Sequence, residues 1–332
     1  MRRIAGMQKE RNRAMLKFVL VLGVCAVFSA PRITFAESGF LPGMRVLPEA
    51  HNCYPYGGRY ADRIDRALAA GLPLGIENDY GWYTDPATGH SRIILVHDKP
   101  YKGTEPGPRE YFFEKVRPIA EEALKEGNRG NWPLITLNIN DLRGSDPAFF
   151  KAVWDLLGEY EPWLCTAVKQ PAPDPPVPLD VKPILVLGGG GNNETRFFYD
   201  EVPVGAKLRI FGQADAARPA GNFRRWINHS WRDVEPEGQP KAGEWTAEKA
   251  VRLKNLVDDA HKRGYWIRFY ALNGHPAAQS LTDGLSPGYN FGSLEAVQIR
   301  WQAAIEAGVD FIATDQCAEL SKFLDAKRKS ER

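Results

Sequence analysis

The run Leu294-Glu-Ala-Val-Gln-Ile-Arg-Trp-Gln-Ala-Ala-Ile-Glu-Ala-Gly308-Val-Asp-Phe-Ile-Ala-Thr-Asp315 sets a pattern that recurs along the chain without any repeat of sequence. Leu294–Ala307 predicts a helix, Gly308 stops it, and Val309–Thr314 predicts a strand that delivers a carboxylate at Asp315. Immediately upstream, Thr246–Arg263 predicts an amphipathic helix stopped by Gly264, and Trp266–Leu272 a strand. From the other end the order is Met44–His51 strand, Tyr60–Ala70 helix with Gly71 as its stop, and Leu72–Tyr80 strand. Then come a short apolar run at Arg92–His97, a helix over Arg109–Lys125 ended by Gly127, and a strand over Pro133–Leu142. Asp146 and Pro147 open a helix through Tyr160, an N-cap followed by proline in the first turn. Ile184–Leu187, Lys207–Phe211 and Phe223–His229 are strand-like, and Cys317–Lys329 closes as a helix. The proline-rich Gln170–Pro178 reads as a surface loop, because the alternation resumes directly after it. Strands separated by helices imply a parallel sheet, and about eight such units imply a closed α/β barrel of the (β/α)8 TIM type. A doubly wound open sheet is the alternative. In both, ligands gather at the carboxyl ends of the strands.

With 332 residues, 43% of them hydrophobic and 25% charged, the chain has the composition of a globular protein rather than a disordered or fibrous one. Its first residues read as an export signal. Arg2, Arg3, Lys9, Arg11, Arg13 and Lys17 are basic, Phe18–Ala30 is apolar, and Thr34-Phe35-Ala36 offers small residues at a cleavage site. The apolar run is shorter than the ~20 residues that span a bilayer. Cleavage after Ala36 leaves one barrel domain over 37–332, exported to the periplasm or the cell exterior. Residues 1–36 hold seven of the 43 Lys and Arg but one of the 41 Asp and Glu, so the remainder carries 36 basic and 40 acidic residues. A mildly acidic domain lacks the basic patch that nucleic acid requires. The expected partner is a small-molecule or lipid phosphodiester met by a monomer, with at most peripheral membrane contact. Cys53, Cys165 and Cys317 fit no zinc spacing, and read equally as buried small residues or as one disulfide plus a free thiol.

Polar residues cluster at the predicted strand ends. His51 ends the first strand, Glu77 and Asp79 the second, His97 and Asp98 the short apolar run, Asp141 and Arg143 the strand from Pro133, and Asp315 the last. Glu77 and Asp79 are two apart, so a strand places both on one face. Paired carboxylates repel unless a cation sits between them, which points to one divalent cation, Mg²⁺ or Ca²⁺. Asp141 continues the alternating row Ile135, Leu137, Ile139 and supplies a third oxygen if that row faces inward. Two histidines that titrate near neutrality suit proton transfer on either side of a phosphorus.

The order His51-Asn52, Ala67-Leu68-Ala69-Ala70-Gly71, Ile76-Glu77-Asn78-Asp79 and Val96-His97-Asp98 resembles the opening of the phosphatidylinositol-phospholipase-C-like superfamily, which includes glycerophosphodiester phosphodiesterases and spider-venom sphingomyelinases D. Val309–Asp315 is similar to the last strand of the glycerophosphodiesterases. His51-Asn52 and the Gly-rich Leu187–Asn192 segment resemble the fungal mitochondrial-inheritance-type branch and its bacterial relatives. The resemblance implies that His51 is nucleophile or base, His97 the general acid, Glu77, Asp79 and Asp141 metal ligands, and Arg143 a phosphate clamp. Two departures stand out. Asn52 and Cys53 follow His51 where the glycerophosphodiesterases carry Arg-Gly. A strict alignment puts Asn140, rather than Asp141, where they carry a glutamate.

The implied activity is metal-dependent hydrolysis or cyclising cleavage of a phosphodiester of the glycerophosphodiester, lysophospholipid or phosphoinositide class. The alternatives are a non-catalytic phospholipid- or sugar-phosphate-binding barrel and a glycoside hydrolase. Gly188–Gly191 lacks the spacing of a P-loop or dinucleotide fingerprint and reads as a loop beside the site.

Overall fold

A closed parallel barrel needs strands whose side chains alternate between the axis and the surrounding helices. The computed structural model describes residues 40–330 other than 56–59, 173, 215–217 and 284. The expected signal segment, 1–36, lies outside the described residues. The barrel strands in chain order are β1 (Leu47–Ala50), β2 (Leu74–Glu77), β3 (Ile135–Ile139), β4 (Ile184–Gly188), β5 (Phe211–Gln213), β6 (Arg224–Ser230), β7 (Trp266–Tyr270) and β8 (Phe311–Thr314). They close in the order β1-β8-β7-β6-β5-β4-β3-β2 with parallel pairings throughout. The expected TIM-type barrel is therefore present, and the open sheet is not.

Local chemistry starts and stops the helices as anticipated. The Asp146 carboxylate accepts from Ala148 N at 2.9 Å and opens Pro147–Glu159. Ser293 accepts from Ala296 N at 3.1 Å and opens Leu294–Ala307, which ends at Gly308 with φ +86°. That left-handed turn suits glycine, and it redirects the chain straight into β8.

Two strand expectations need correction, and a third is borne out. Arg92–His97 supplies no barrel strand: Ser91–Leu95 pairs antiparallel with Tyr80–Thr84 in a hairpin outside the barrel. Lys207–Phe211 is divided, since Lys207–Leu208 pairs with Ala167–Val168 in a separate ribbon and the barrel strand begins at Phe211. Phe223–His229 becomes β6, the longest barrel strand at seven residues.

Alternation sorts the interior into layers. On β7, Ile267 and Phe269 face outward and pack with Leu253 and Val257 of the helix Ala247–Lys262 and with Trp301 of Leu294–Ala307. Trp266, Arg268 and Tyr270 take the inner face. Trp266 closes the amino end of the barrel, donating its indole N–H to Phe40 O at 3.0 Å. Above it lies a charged layer. Arg268, 1% exposed, donates to Glu49 Oε1 at 2.6 Å and reaches Glu77 Oε2 at 3.0 Å. Room for this layer comes from Gly75, where a Cβ would stand 2.6 Å from the Glu49 side chain. Trp226, Trp231 and Trp266 are buried core residues, and Cys53, Cys165 and Cys317 are buried free thiols.

Candidate active site

The last inward position of β1 is His51, just beyond Ala50. It is 6% exposed and held from both sides: Nδ1 lies 3.2 Å from Asp315 Oδ1 and Nε2 3.7 Å from Glu77 Oε2. Asp315 ends β8, the direct neighbour of β1. Its second oxygen accepts from Asn273 Nδ2 at 2.8 Å, and Arg63 Nη1 stands 3.6 Å from the first. Burial by itself would lower the His51 pKa, but the charge of Glu77 and the hydrogen bond and charge of Asp315 outweigh it, and the pKa is raised. Burial would raise Asp315, yet His51 and Arg63 hold it below the ordinary carboxylate range. Tyr270 stacks beside the imidazole at 6.1 Å and 15°, and Tyr289 meets it edge-on at 6.3 Å.

Asn52 ties this corner together. Its φ of +48° is a left-handed conformation that asparagine tolerates better than most residues. Its N–H donates to Glu77 Oε2 at 3.0 Å, and its carbonyl accepts from Arg63 Nη1 at 2.6 Å. Glu77 is consequently surrounded by donors. Burial would raise its pKa, but Arg268, His51 and the Asn52 N–H bring it below the ordinary value.

Asp79 lies in a different field. Its Oδ2 is 2.9 Å from the Tyr54 hydroxyl and 3.5 Å from Arg143 Nη2, while Oδ1 is buried with no hydrogen-bond partner among the described residues. Burial first, and the neighbouring Glu77 charge second, push its pKa up to about 7. His97 follows the hairpin, 34% exposed, with Nδ1 2.8 Å from Asp98 Oδ2. It is near enough for its charge to act on Asp79. The hairpin, and not a barrel strand, therefore brings His97 to the mouth.

Asp141 does not extend the row expected for it. Gly75 pairs with Thr136 and Glu77 with Asn138, so Thr136 and Asn138 face the axis and Ile135, Leu137 and Ile139 face away. The register then slips by one, because Tyr80 pairs with Leu142. That bulge carries Asp141 to the rim, 45% exposed, where Oδ2 pairs with Arg143 Nη2 at 2.9 Å.

A divalent cation does not fit this arrangement. No group of three or more His, Cys, Asp or Glu among the described residues is placed to hold one. The Glu77 oxygen that faces the site is engaged by Arg268, and Asp79 and Asp141 share the Arg143 guanidinium. Two arginines supply the positive charge that the paired carboxylates demand. Sequence reasoning had placed Asp315 at a strand end without a role, had named Asn52 and Asn140 only as departures from the family pattern, and had passed over Arg268 and Asn228 as components of the mouth. A charged residue inside the apolar strand Trp266–Tyr270 was the available signal.

No protein-family model matches the chain, and no curated protein does. Solved structures do. The phosphatidylinositol-specific phospholipase C from Listeria monocytogenes matches with 12% identity over 85% of this chain and 94% of that one, at a TM-score of 0.46. A glycerophosphoryl diester phosphodiesterase from Parabacteroides distasonis matches with 14% identity over 85% and 87%, at 0.43. The calcium-dependent phosphoinositol-specific phospholipase C from a Gram-negative Pseudomonas sp. matches with 11% identity over 82% and 89%, at 0.44. The similarity is of barrel to barrel, and assigns no chemistry to individual residues.

Proposed function

We propose that this chain is a phosphodiesterase of the phospholipase-C-like kind, with His51 as base or nucleophile and Asp315 as the group that orients it. One observation carries the reading: the His51–Asp315 pair at the barrel mouth, with Glu77 on the other ring nitrogen. When Nδ1–H donates to Asp315, the Nε2 lone pair is left to take a proton from water or from a hydroxyl of the substrate. The new O–P bond forms as the P–O bond to the leaving group breaks. The resulting imidazolium gains the Glu77 carboxylate as counter-ion. His97 then supplies the proton to the leaving oxygen, and Arg143 binds a non-bridging oxygen while remaining next to Asp79 and Asp141. Positive charge on the phosphate comes from the Arg143 guanidinium, so no step needs a divalent ion. The substrate is a small-molecule or lipid phosphodiester, and the enzyme acts as a monomer outside the cytoplasm after loss of residues 1–36. N-terminal sequencing of the exported protein tests that last point.

The decisive experiment measures turnover of bis-p-nitrophenyl phosphate and of a panel of glycerophosphodiesters and lysophospholipids. Wild type turns over at least one, and His51→Ala turns over none. Wild-type rates in the His51→Ala protein would remove His51 from the mechanism, and the proposed function with it.

A further inference from the structure

The mouth contains an amide whose orientation is dictated from below. Arg268 has donors only, five N–H groups and no acceptor. Its Nε donates to Glu49 Oε1 at 2.6 Å, and its Nη1 to Asn228 Oδ1 at 2.9 Å. Asn228 must therefore turn its carbonyl towards Arg268 and its NH₂ away. That NH₂ donates across the barrel, from β6 to the end of β3, to Asn140 Oδ1 at 3.2 Å. The acceptor of Asn140 is thereby occupied, and what Asn140 still offers is its own NH₂. Asn140 Nδ2 donates to no group among the described residues, and the residue is only half-buried. Asn138 faces the axis as the register partner of Glu77, and Asn140 stands two residues beyond it, directly before Asp141, whose carboxylate pairs with Arg143 Nη2 at 2.9 Å. The NH₂ thus belongs to the same mouth as Asp79 and Arg143.

We infer that Asn140 contacts the substrate, donating to a non-bridging oxygen of its phosphoryl group, with the polarity of its amide set by Arg268 through Asn228. The identity of the ligand rests on the phosphodiesterase reading above. The orientation of the amide rests on the hydrogen bonds alone. A metal-binding mouth would need an acceptor here; this relay presents a donor, which suits an anion.

The test is a titration of wild type, Asn140→Leu, Asn140→Asp and Asn228→Asp with inorganic phosphate by calorimetry. KM and kcat for bis-p-nitrophenyl phosphate are measured alongside, with thermal unfolding as the control for folding. Asn140→Asp is isosteric and sits at a half-buried strand end, so it keeps the fold while replacing a donor by an acceptor. Phosphate affinity falls by about 10-fold or more in both Asn140 variants, on the usual scale of a hydrogen bond to a charged group, and KM rises with it. Asn228→Asp still accepts from Arg268 but no longer donates to Asn140, so it weakens phosphate although Asn140 is intact. A merely structural Asn140 would change unfolding temperature and leave phosphate affinity alone. Wild-type phosphate affinity and KM in Asn140→Asp would overturn the proposal, and an unaltered Asn228→Asp would overturn the relay. Wild-type protein that neither turns over any diester nor binds phosphate would instead overturn the phosphodiesterase reading.

Discussion

At the scale of single residues, the fold favours the protonated forms of both His51 and Asp79. His51 must be neutral to accept a proton, and its pKa is raised above the ordinary value of about 6.5 by Glu77 and Asp315 against the effect of burial. The activity of the wild type therefore rises with pH through that raised pKa. Asp315→Asn removes both the charge and the tautomer control. The acid limb of the kcat/KM profile moves to lower pH, and the plateau falls by about 10²-fold or more. A profile whose acid limb stays in place would separate Asp315 from His51. The same shift has a stability counterpart: the protonated imidazole is favoured in the fold, so its contribution is fully present below the unfolded pKa and is lost as pH rises through the folded one. For Asp79 the native state prefers the protonated carboxyl, raised from 3.8 to about 7, so stability falls as pH rises between those values. Asp79→Asn keeps the neutral shape. Its unfolding temperature matches wild type near about pH 3 and exceeds it increasingly up to about pH 7, levelling off above, by a stability on the order of a few kcal/mol. A constant offset across that range would mean that Asp79 ionises normally.

At the scale of elements, the hairpin from Tyr80 to Leu95 is the part that sequence reasoning misplaced, and the reason is physical. Arg92–His97 has the apolar content of a strand, and it does form one; what periodicity does not encode is the partner. The segment pairs with Tyr80–Thr84, the immediate continuation of β2, and that local antiparallel pairing excludes it from the barrel. The helices were legible because their caps and glycine stops are local chemistry. The strand face of Asp141 was not, because alternation gives a period and no sign. Polar Thr136 and Asn138, not Ile135 and Leu137, face the axis, and a bulge then shifts Asp141 by one. The hairpin also defines what His97 can do. It approaches the site from a half-exposed position, as suits a group that meets the leaving oxygen. The general acid matters most for a poor leaving group. His97→Ala should slow alkyl phosphodiesters by about 10²-fold or more and spare p-nitrophenyl esters, whose leaving group has a conjugate acid of pKa about 7. Equal losses on both substrates would remove His97 as the acid, and the reverse pattern in His51→Ala would exchange the two roles.

At the scale of the whole molecule, the barrel is closed around an ionic layer where many barrels stack aliphatic side chains. Glu49, Arg268 and Glu77 come from β1, β7 and β2, so the layer ties strands that are distant in sequence. The sequence shows each of these charges but not their meeting, because only closure of the barrel brings β7 opposite β2. The two-residue spacing of Glu77 and Asp79 rightly signalled that the paired carboxylates need positive charge. The source expected for that charge was a divalent ion, Mg²⁺ or Ca²⁺, whereas Arg268 stands between Glu49 and Glu77. With Arg268 1% exposed between two carboxylates, the cation is covalently built in. Two outcomes follow for one protein. Exhaustive EDTA treatment leaves wild-type turnover intact, and added Mg²⁺ or Ca²⁺ does not raise it. Arg268→Met, which keeps the length of the side chain but not its charge, leaves Glu49 and Glu77 buried and uncompensated. It destabilises the fold by about 3–5 kcal/mol in denaturant unfolding. If chelation abolishes turnover and Ca²⁺ or Mg²⁺ restores it, the site takes a metal despite the ion pairs. If Arg268→Met unfolds like wild type, the layer is not what holds the barrel interior together, and the positive charge at Glu77 must come from another source.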